Sequence, residues 1–417
     1  MATSTLGRPQ IVINFRSRVA TALNRSGRGV GVIILNDENV EDRVRTYQIV
    51  DSTDIPTSGL TDKNIDLIKK ALLGTPSRLF VYVIPPKTKT VMVTQEVDDD
   101  NNSDTAPVST EVPVTVDSEI QQTDALKRAA TLRFDYICHP TGTTQDQSDL
   151  AEWVKSQRSL KHKTIKGIVA NVAADSYGVI NFTTGNIRVV NPDYVDALNA
   201  AEGVASDVSS DIPRYITYTA AEYTARILGI ACGVSLDRSM TYYELSEIID
   251  CDVYDDVDAH INDGELCLID EGDGNGVKIA RGCNSLHTFT SEVGQDFRYI
   301  KIVETIDLIT NDIREVFKTD YLGKVLNSYD NKMLFISAIL VYFEGLKGSV
   351  LDNSPSATNT VDIDVVQNAN YAKLKGYDVS NMSIQRLRAF NTGTNVYLSG
   401  SITPVNAMED LHVDFAL

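Results

Sequence analysis

The sequence predicts a multidomain protein in which an α/β region is followed by an α+β region. With 417 residues, the chain is long enough for two or three domains that each bury a hydrophobic core. Before residue 282, apolar runs with strand character alternate with helical patterns, which is typical of an α/β sheet. Two long helical patterns follow, and a strand pattern without a neighbouring partner lies near each end of the chain.

The α/β region is preceded by one of these isolated strands, at residues 11–15, where apolar and polar side chains alternate. The run GVGVIIL at 29–35 is continuously apolar, which predicts a buried central strand. A helical pattern covers 61–73 and ends at a Gly-Thr-Pro stop, and residues 78–84 form a second buried strand pattern.

The same alternation resumes after residue 133. Strands are predicted at 134–138 and 166–170, and helices at 146–161 and 220–235, where small residues favour close packing. Two short apolar runs, at 265–269 and 277–280, flank a glycine-rich turn and predict a hairpin.

Two apolar stripes predict a pair of packed helices joined near residues 321–323. The first stripe contains Ile302, Val303, Ile306, Ile309, Ile313, Val316 and Phe317, and the second contains Leu326, Tyr329, Met333, Ile336, Leu340, Phe343 and Leu346. Strand patterns follow at 361–366 and 396–402. Residues 411–417 alternate strictly, which predicts a second isolated strand.

The segment 87–124 differs in composition from its surroundings. It holds nine acidic residues against two lysines and is rich in Ser, Thr and Asn. The apolar runs at 91–93 and 112–116 are able to pair around a polar tip at 98–102. We predict an inserted, solvent-facing β-hairpin or small subdomain, with disorder as the alternative.

Composition argues against several classes of function. The formal charge of −19 disfavours nucleic-acid binding, which needs a basic face. No apolar run approaches the ~20 residues that cross a bilayer, so no membrane insertion is expected. The five cysteines are widely spaced and lack a C-x-x-C pair, which favours reduced thiols over a metal site.

The sequence also predicts no catalytic residues, metal or cofactor. None of the five histidines has a protease-like setting, and no serine lies in a G-x-S-x-G motif. The glycine-rich run 271–276 lacks the Lys-Ser/Thr of a phosphate loop and the distal Glu of a calcium loop, so a hairpin turn is favoured.

Three segments carry a resemblance to one family. They are the run from Gly282 to Leu346, the opening PQIVINF with RSGRGV after it, and the closing PVNAMEDL. Together they resemble contractile phage tail sheath proteins, particularly the shorter sheaths of Gram-positive phages, defective prophages and R-type bacteriocins. The segment 86–124 does not resemble the common sheath pattern.

The resemblance implies a fold and a division of the chain. The α/β middle domain is expected to be related to subtilisin-like folds, with a β insertion, and to precede an α+β sheath core domain. The expected divisions are an N-terminal arm at 1–24, a middle domain at 25–282 with an insertion at 86–125, a core at 283–395 and a C-terminal arm at 396–417.

By the same resemblance, the chain is expected to be a structural subunit that forms stacked hexameric rings around an inner tube and contracts to drive the tube through a bacterial envelope. Its implied partners are further copies of itself, the tail tube protein, and baseplate and tail terminator proteins. The expected location is a virion tail or an extracellular tail-like particle assembled in the host cytoplasm. A static strand-exchanged fibre or surface-layer protein is the alternative.

Two sets of residues are expected to make the contacts. The strand arms would pair with sheets of neighbouring subunits; their candidate contact residues are Ile11, Ile13, Phe15, Leu411, Val413 and Phe415. Basic residues clustered on the core helices of an acidic protein are candidate tube contacts, although solvated helix faces explain such charges as well; they are Arg314, Lys318, Lys324 and Lys332.

Overall fold

The computed structural model describes residues 28–41, 43–97, 108–201, 209–274 and 276–416. The predicted N-terminal strand, including Ile11, Ile13 and Phe15, lies outside these residues. The strands are β1 (Val30–Asn36), β2 (Arg45–Ile49), β3 (Arg78–Ile84), β4 (Thr88–Val97), β5 (Val108–Asp117), β6 (Tyr136–Cys138), β7 (Lys166–Ala170), β8 (Val179–Phe182), β9 (Ile187–Val190), β10 (Tyr215–Tyr218), β11 (Ile248–Asp250), β12 (Glu265–Leu266), β13 (Leu268–Asp270), β14 (Val277–Ile279), β15 (Thr360–Ile363) and β16 (Leu398–Ser401). The α-helices are α1 (Asp62–Leu72), α2 (Gln122–Ala129), α3 (Thr144–Lys161), α4 (Pro192–Ala200), α5 (Ala220–Gly233), α6 (Val257–Asn262), α7 (Ile300–Val316), α8 (Tyr329–Leu346), α9 (Val365–Leu374) and α10 (Ile384–Arg388).

A seven-stranded sheet forms the centre of the α/β region, in the order β12-β8-β7-β6-β1-β3-β2. All of its neighbouring strands run parallel except β2, which pairs antiparallel with β3. Side chains of β1 alternate between the two faces. Ile33 and Leu35 belong to the core under α1 and α5, whereas Val32 and Ile34 belong to the core under α2 and α3. Because both faces are covered, the strand reads as a continuous apolar run.

Small residues allow α1 and α5 to cross closely, as the sequence of α5 predicts. A Cβ atom at Gly229 would lie 2.0 Å from the carbonyl oxygen of Ala71. Only glycine fits at this crossing, since no real Cβ approaches another atom so closely.

The predicted hairpin at 265–269 and 277–280 is correct only in part. Leu268–Asp270 pairs antiparallel with Val277–Ile279, but Glu265–Leu266 joins the edge of the central sheet beside β8. The sequence predicts one strand here because four consecutive apolar residues follow Glu265. In the structure its two halves belong to different sheets.

The inserted segment contains the predicted pairing. Strands β4 and β5 pair antiparallel from Thr88↔Asp117 to Val97↔Val108, with Val91 opposite Val114 and Val93 opposite Val112. At the base of the ribbon, the Ser118 amide donates to the Lys87 carbonyl at 2.9 Å. The predicted tip at 98–102 lies outside the described residues.

Helices α7 and α8 confirm the predicted pair, and a π-helical turn at Phe317–Tyr321 begins their connection. The single apolar stripe predicted for α7 is incomplete, however, because every residue from Ile300 to Thr310 is buried. Ile300 packs with the central sheet, Ile306 with Phe297, and Ile309 with α8. A helix enclosed on all sides must also bury its polar side chains.

The strand predicted at 361–366 is too long. Strand β15 ends at Ile363, and the Asp364 carboxylate accepts from the Gln367 amide at 2.8 Å. This N-cap starts α9. The strand predicted at 396–402 corresponds to β16.

Candidate assembly surfaces

The β15–β16 ribbon is the first candidate surface. Its strands pair antiparallel from Thr360↔Ser401 to Ile363↔Leu398. One face is buried, because Val361, Ile363 and the adjoining Ile402 pack with residues of α8. The strands approach closely at Gly400, where a Cβ atom would lie 2.0 Å from the Thr360 carbonyl oxygen. The ribbon is therefore firmly seated on the α7–α8 pair.

Neither outer edge of this ribbon is paired with another strand of the described residues. Within the described part of the chain, β15 and β16 pair only with each other. An open edge presents unpaired backbone N–H and C=O groups, onto which an extended segment of another chain is able to add as a further strand. The ribbon is thus a candidate receptor for extended segments.

The C-terminal segment leaves the ribbon and is fastened at its root. The Lys301 ammonium donates to the Val405 carbonyl at 2.6 Å, and the Thr241 hydroxyl donates to Glu409 at 2.8 Å. Arg281 forms an ion pair with Asp410 at 2.5 Å. These contacts fix the chain up to residue 410 against both the core helices and the α/β region.

Beyond this root the apolar side chains face solvent. Leu411 and Phe415 are both 87% exposed, and Val413 is 53% exposed. Residues 411–416 form no strand within the described chain. The predicted C-terminal strand needs an edge to pair with, which another copy would have to supply, so it stays a prediction.

The four candidate tube contacts occupy different environments. Lys318 and Lys324 are exposed near the connection between α7 and α8. Arg314 is half-buried and donates to the His162 carbonyl at 2.6 Å. Lys332 is buried, and its ammonium donates to the Thr392 hydroxyl at 3.1 Å. The structure therefore brings Lys318 and Lys324 together on an accessible surface but not the other two.

A buried ionic cluster joins α7 to the amino ends of the central strands. Glu304 accepts from the Tyr136 hydroxyl at 2.6 Å and pairs with Lys166 at 2.8 Å and with Arg28. Asp307, one turn further along α7, pairs with Lys166 at 3.0 Å. These contacts connect β1, β6 and β7 to a single helix.

Arg158 of α3 completes the cluster. Its guanidinium binds both carboxylate oxygens of Asp307, at 2.8 and 2.9 Å. On the opposite side, the Asp135 carboxylate accepts from the Gly29 and Val30 amides at 2.8 and 3.0 Å. Nearly all of these charges are withdrawn from water, so they depend on one another.

Electrostatics keep Glu304 ionised. Burial opposes its charge, but the neighbouring Lys166 and Arg28 outweigh that effect and hold its pKa at about 2. Burial and the Glu304 charge together raise the pKa of Tyr136 well above its ordinary value, so this hydroxyl remains a donor.

No motif in the sequence predicts this cluster. The signal available was Glu304 and Asp307, spaced three residues apart inside an apolar helical run. Carboxylates in such positions need buried cationic partners. Those partners lie more than a hundred residues away along the chain, and no local pattern pointed to them.

The carboxyl ends of the parallel strands are where α/β sheets commonly bind ligands, and here the strand order changes direction between β1 and β6. His139, just after β6, is buried between two amide side chains. Its Nε2 lies 2.7 Å from Asn36 Oδ1, and its Nδ1 lies 3.1 Å from Gln122 Nε2. Burial lowers the pKa of His139 to about 4, so the ring is neutral near pH 7. This geometry supports a packed structural histidine.

The described residues lack two further features. They contain no group of three or more His, Cys, Asp or Glu side chains positioned to hold a metal ion. Among their helices, none is long and apolar enough to cross a membrane.

Comparison with known proteins shows a likeness to one family. Residues 292–417 match the phage tail sheath C-terminal domain family. A curated tail sheath protein of Clostridium phage phiCD119 is 29% identical over 411 residues, which cover 98% of each protein. The chain is similar to phage tail sheath proteins over nearly its whole length. The resemblance found in the sequence is thereby confirmed, and the sheath match includes the β15–β16 ribbon and the described part of the C-terminal segment.

Solved sheath structures share the fold. The sheath tail protein of Listeria innocua has a TM-score of 0.58 at 19% identity, covering 83% of this chain and 90% of that protein. The helical sheath of the anti-feeding prophage in its contracted state has a TM-score of 0.59 at 11% identity, covering 99% of both. A mixed α/β multidomain architecture is therefore common to these sheath proteins.

Proposed function

We propose that this chain is the structural subunit of a contractile tail sheath, assembled as stacked hexameric rings around an inner tube. The observation that carries the proposal is the juxtaposition of an open-edged ribbon with a C-terminal segment whose apolar side chains are exposed. The similarity to a phage tail sheath protein and to a contracted helical sheath supports the same function.

In this proposal, strand exchange connects the subunits. The C-terminal arm, with Leu411, Val413 and Phe415, and the N-terminal arm, with Ile11, Ile13 and Phe15, add to β15–β16 ribbons of neighbouring copies. Ordering a free arm costs about 1–2 kcal/mol per residue. Each backbone hydrogen bond returns only about 0.5–1.5 kcal/mol net, so a single joint is marginal. Two arms on every subunit hold the lattice through multiplicity.

Contraction follows from the same connections. The extended sheath is a metastable state held by a kinetic barrier, and the exchanged arms keep neighbours linked while the subunit bodies slide and bury new surface. The moving sheath drives the tube through a bacterial envelope. Its partners are the tube protein, through exposed basic residues such as Lys318 and Lys324, and the baseplate and tail terminator proteins at its two ends.

The finer organisation of the subunit belongs to the proposal as well. The predominantly parallel sheet between helical layers supports a middle domain at 25–282 related to subtilisin-like folds, without catalytic activity. The two-stranded insertion at 86–125 lies on its surface, and the core at 283–395 carries the arms at 1–24 and 396–417. The assembled particle is a virion tail or an extracellular tail-like particle built in the host cytoplasm.

Electron microscopy of the purified chain mixed with its tube protein tests this function. A sheath subunit will form tubes of stacked rings around the inner tube, and a trigger will convert them to a shorter, wider form. Flat lattices or solid fibres that ignore the tube would instead support a static strand-exchanged fibre or surface layer.

A further inference from the structure

A cleft of about 380 Å³ lies where the carboxyl end of α3 meets the outer side of α7. Its apolar lining comes from Val293, Phe297 and Ile306, together with the ring of Tyr177. Its charged lining consists of three cations, Arg158, Lys163 and Arg314, and two acids, Asp307 and Glu292.

Two cations of this cleft, Lys163 and Arg314, donate to neutral oxygens of the described chain. Lys163 donates to the Ala130 carbonyl, and Arg314 donates to the His162 carbonyl and to the Asn311 side-chain oxygen at 3.3 Å. Neither forms an ion pair with a carboxylate of the described chain. Burial lowers the pKa of both groups, and for Arg314 the nearby Asp307 carboxylate offsets only part of that effect.

A third cation of the lining has unused hydrogen-bonding capacity. The side chain of Arg158 is only 10% exposed, and its charge is matched by Asp307. Its Nε atom is buried and has no hydrogen-bond partner in the described chain. Orphaned donors beside Lys163 and Arg314 are features that an acceptor-rich ligand would satisfy.

The complementary shape is found on the same molecule. The loop 252–256, here named the acidic knob, lies in a stretch from 250 to 273 that holds ten acidic residues and no Lys or Arg. Val253 at its tip is 90% exposed, and the carboxylate of Asp255 beside it is exposed as well. A bare apolar side chain among carboxylates matches a cleft that combines an apolar wall with cations.

The knob is held in a fixed position. The Asp252 amide donates to the Gly185 carbonyl at 3.1 Å, and Asn186 donates to the Asp252 carboxylate at 2.8 Å. The Tyr254 hydroxyl lies 3.0 Å from the Thr184 hydroxyl. A loop fixed in this way loses little conformational entropy when it docks.

The knob and the cleft lie at opposite ends of the strands of the central sheet. The cleft residues 162–164 come directly before β7, whereas the knob is attached to residues 184–186, directly after β8. Because β7 and β8 run parallel side by side, the start of β7 and the end of β8 lie at opposite ends of the sheet. One copy is therefore unable to place its knob in its own cleft.

We propose that the acidic knob of one copy docks into the cationic cleft of a second copy, with Val253 against the apolar wall and Asp255 beside Lys163 and Arg314. Such a contact is heterologous, so it extends into rings or helical arrays instead of closing a pair. The proposal rests on the proposed self-assembly and adds a contact between subunit bodies to the exchanged arms.

A charge exchange tests the contact. Asp255→Lys and Lys163→Glu, introduced separately, will each raise the concentration needed for assembly by about tenfold, through like-charge repulsion. The chain carrying both will assemble within about threefold of the wild-type concentration. The matched control is Asp263→Lys, which makes the same charge change at an exposed acid outside the knob. Equal effects of Asp255→Lys and Asp263→Lys, or no rescue in the double variant, would overturn the proposal.

Misfolding is separated from loss of contact by a second cleft variant. Lys163→Met removes the charge and keeps the apolar stem, and melting of the unassembled chain monitors the fold. Weakened assembly at an unchanged melting temperature supports the contact. If Lys163→Met and Lys163→Glu both assemble as the wild type does, the knob contact is contradicted.

Cross-linking decides the contact independently of sheath formation. Copies with Val253→Cys are mixed with copies with Val293→Cys, both in a Cys251→Ser background, and oxidised at high concentration. A disulfide between the two kinds of copy is expected, whereas Leu160→Cys, on the exposed side of α3, will not replace Val293→Cys. Cross-links without tubes in the wild type would refute the proposed function alone. Tubes without the cross-link would refute the knob contact alone.

Discussion

The subunit joins its parts in two contrasting ways. Between α7 and the central sheet, charges such as Glu304 and Lys166 are buried and satisfied by one another. At the β15–β16 ribbon and the C-terminal segment, backbone edges and side chains such as Phe415 remain exposed. The buried joint is complete within the subunit, whereas in the proposed sheath the exposed one is completed by another copy. The contrast separates a permanent internal connection from an exchangeable external one.

The largest effect is expected from removing the exchangeable connection. Deleting residues 411–417 will abolish tube formation and leave the subunit folded, because the root contacts of Glu409 and Asp410 remain. Sedimentation and melting of the unassembled chain measure the two properties. Deleting Met1 to Phe15, or substituting Ile13→Asp, is expected to give the same result. Normal tubes from these truncations would contradict strand exchange.

Breaking the permanent connection should instead unfold the subunit. Lys166 is only 4% exposed, so Lys166→Met leaves Glu304 and Asp307 with fewer buried partners. The free energy of unfolding is expected to fall by about 3–5 kcal/mol. Denaturant titration measures it, and Lys127→Met, which removes an exposed pair with Asp124, is the control. A stable Lys166→Met subunit would show that the cluster does not hold the domains together.

Lowering the pH tests the buried cluster through the titration of Glu304. The folded-state pKa of Glu304 is about 2, below its ordinary value of 4.5. Its contribution to stability is therefore complete above about pH 4.5 and is lost as the pH falls toward 2. The Glu304→Gln variant lacks this titration, so its unfolding free energy will depend less steeply on pH in that range. Parallel curves for the two proteins in acidic denaturation series would exclude an ionised Glu304.

A smaller effect is expected at the exposed basic residues. Lys324→Glu will weaken attachment to an acidic tube surface. Higher salt concentrations will reduce the difference between the variant and the wild type, because salt screens the attraction in the wild type and the repulsion in the variant. Lys332→Glu will lower the melting temperature instead, since this ammonium is buried against Thr392. Copolymerisation with tube protein across salt concentrations measures attachment. Unchanged copolymerisation of Lys324→Glu would remove this residue from the tube contact.

The smallest effect is expected from the inserted ribbon. Its base is fastened by Ser118 and Lys87, so a short Gly-Ser linker is able to replace residues 88–117 without disturbing β3 or α2. Assembly and melting temperature should be close to those of the wild type. A soluble, folded variant that fails to form sheaths would show that the insertion contributes to the lattice.

Local patterns predicted much of this architecture. The apolar runs of β1 and β3, the β4–β5 pairing and the two helices α7 and α8 were readable because each depends on residues close together in sequence. The same holds for the sheath resemblance, which the family match to residues 292–417 confirms. The errors fell where one apolar run served two elements, as at Glu265–Leu266 beside Leu268–Asp270.

What the sequence by itself determined, then, was the order of strands and helices, the acidic charge and the resemblance to the sheath family. Only the tertiary structure decided which charges are buried, which edges stay open and which surfaces face one another. Glu304 meets Tyr136 across 168 positions, and Arg281 meets Asp410 across 129. Such contacts depend on how distant segments pack, because charged groups leave water only where folding has already placed a partner.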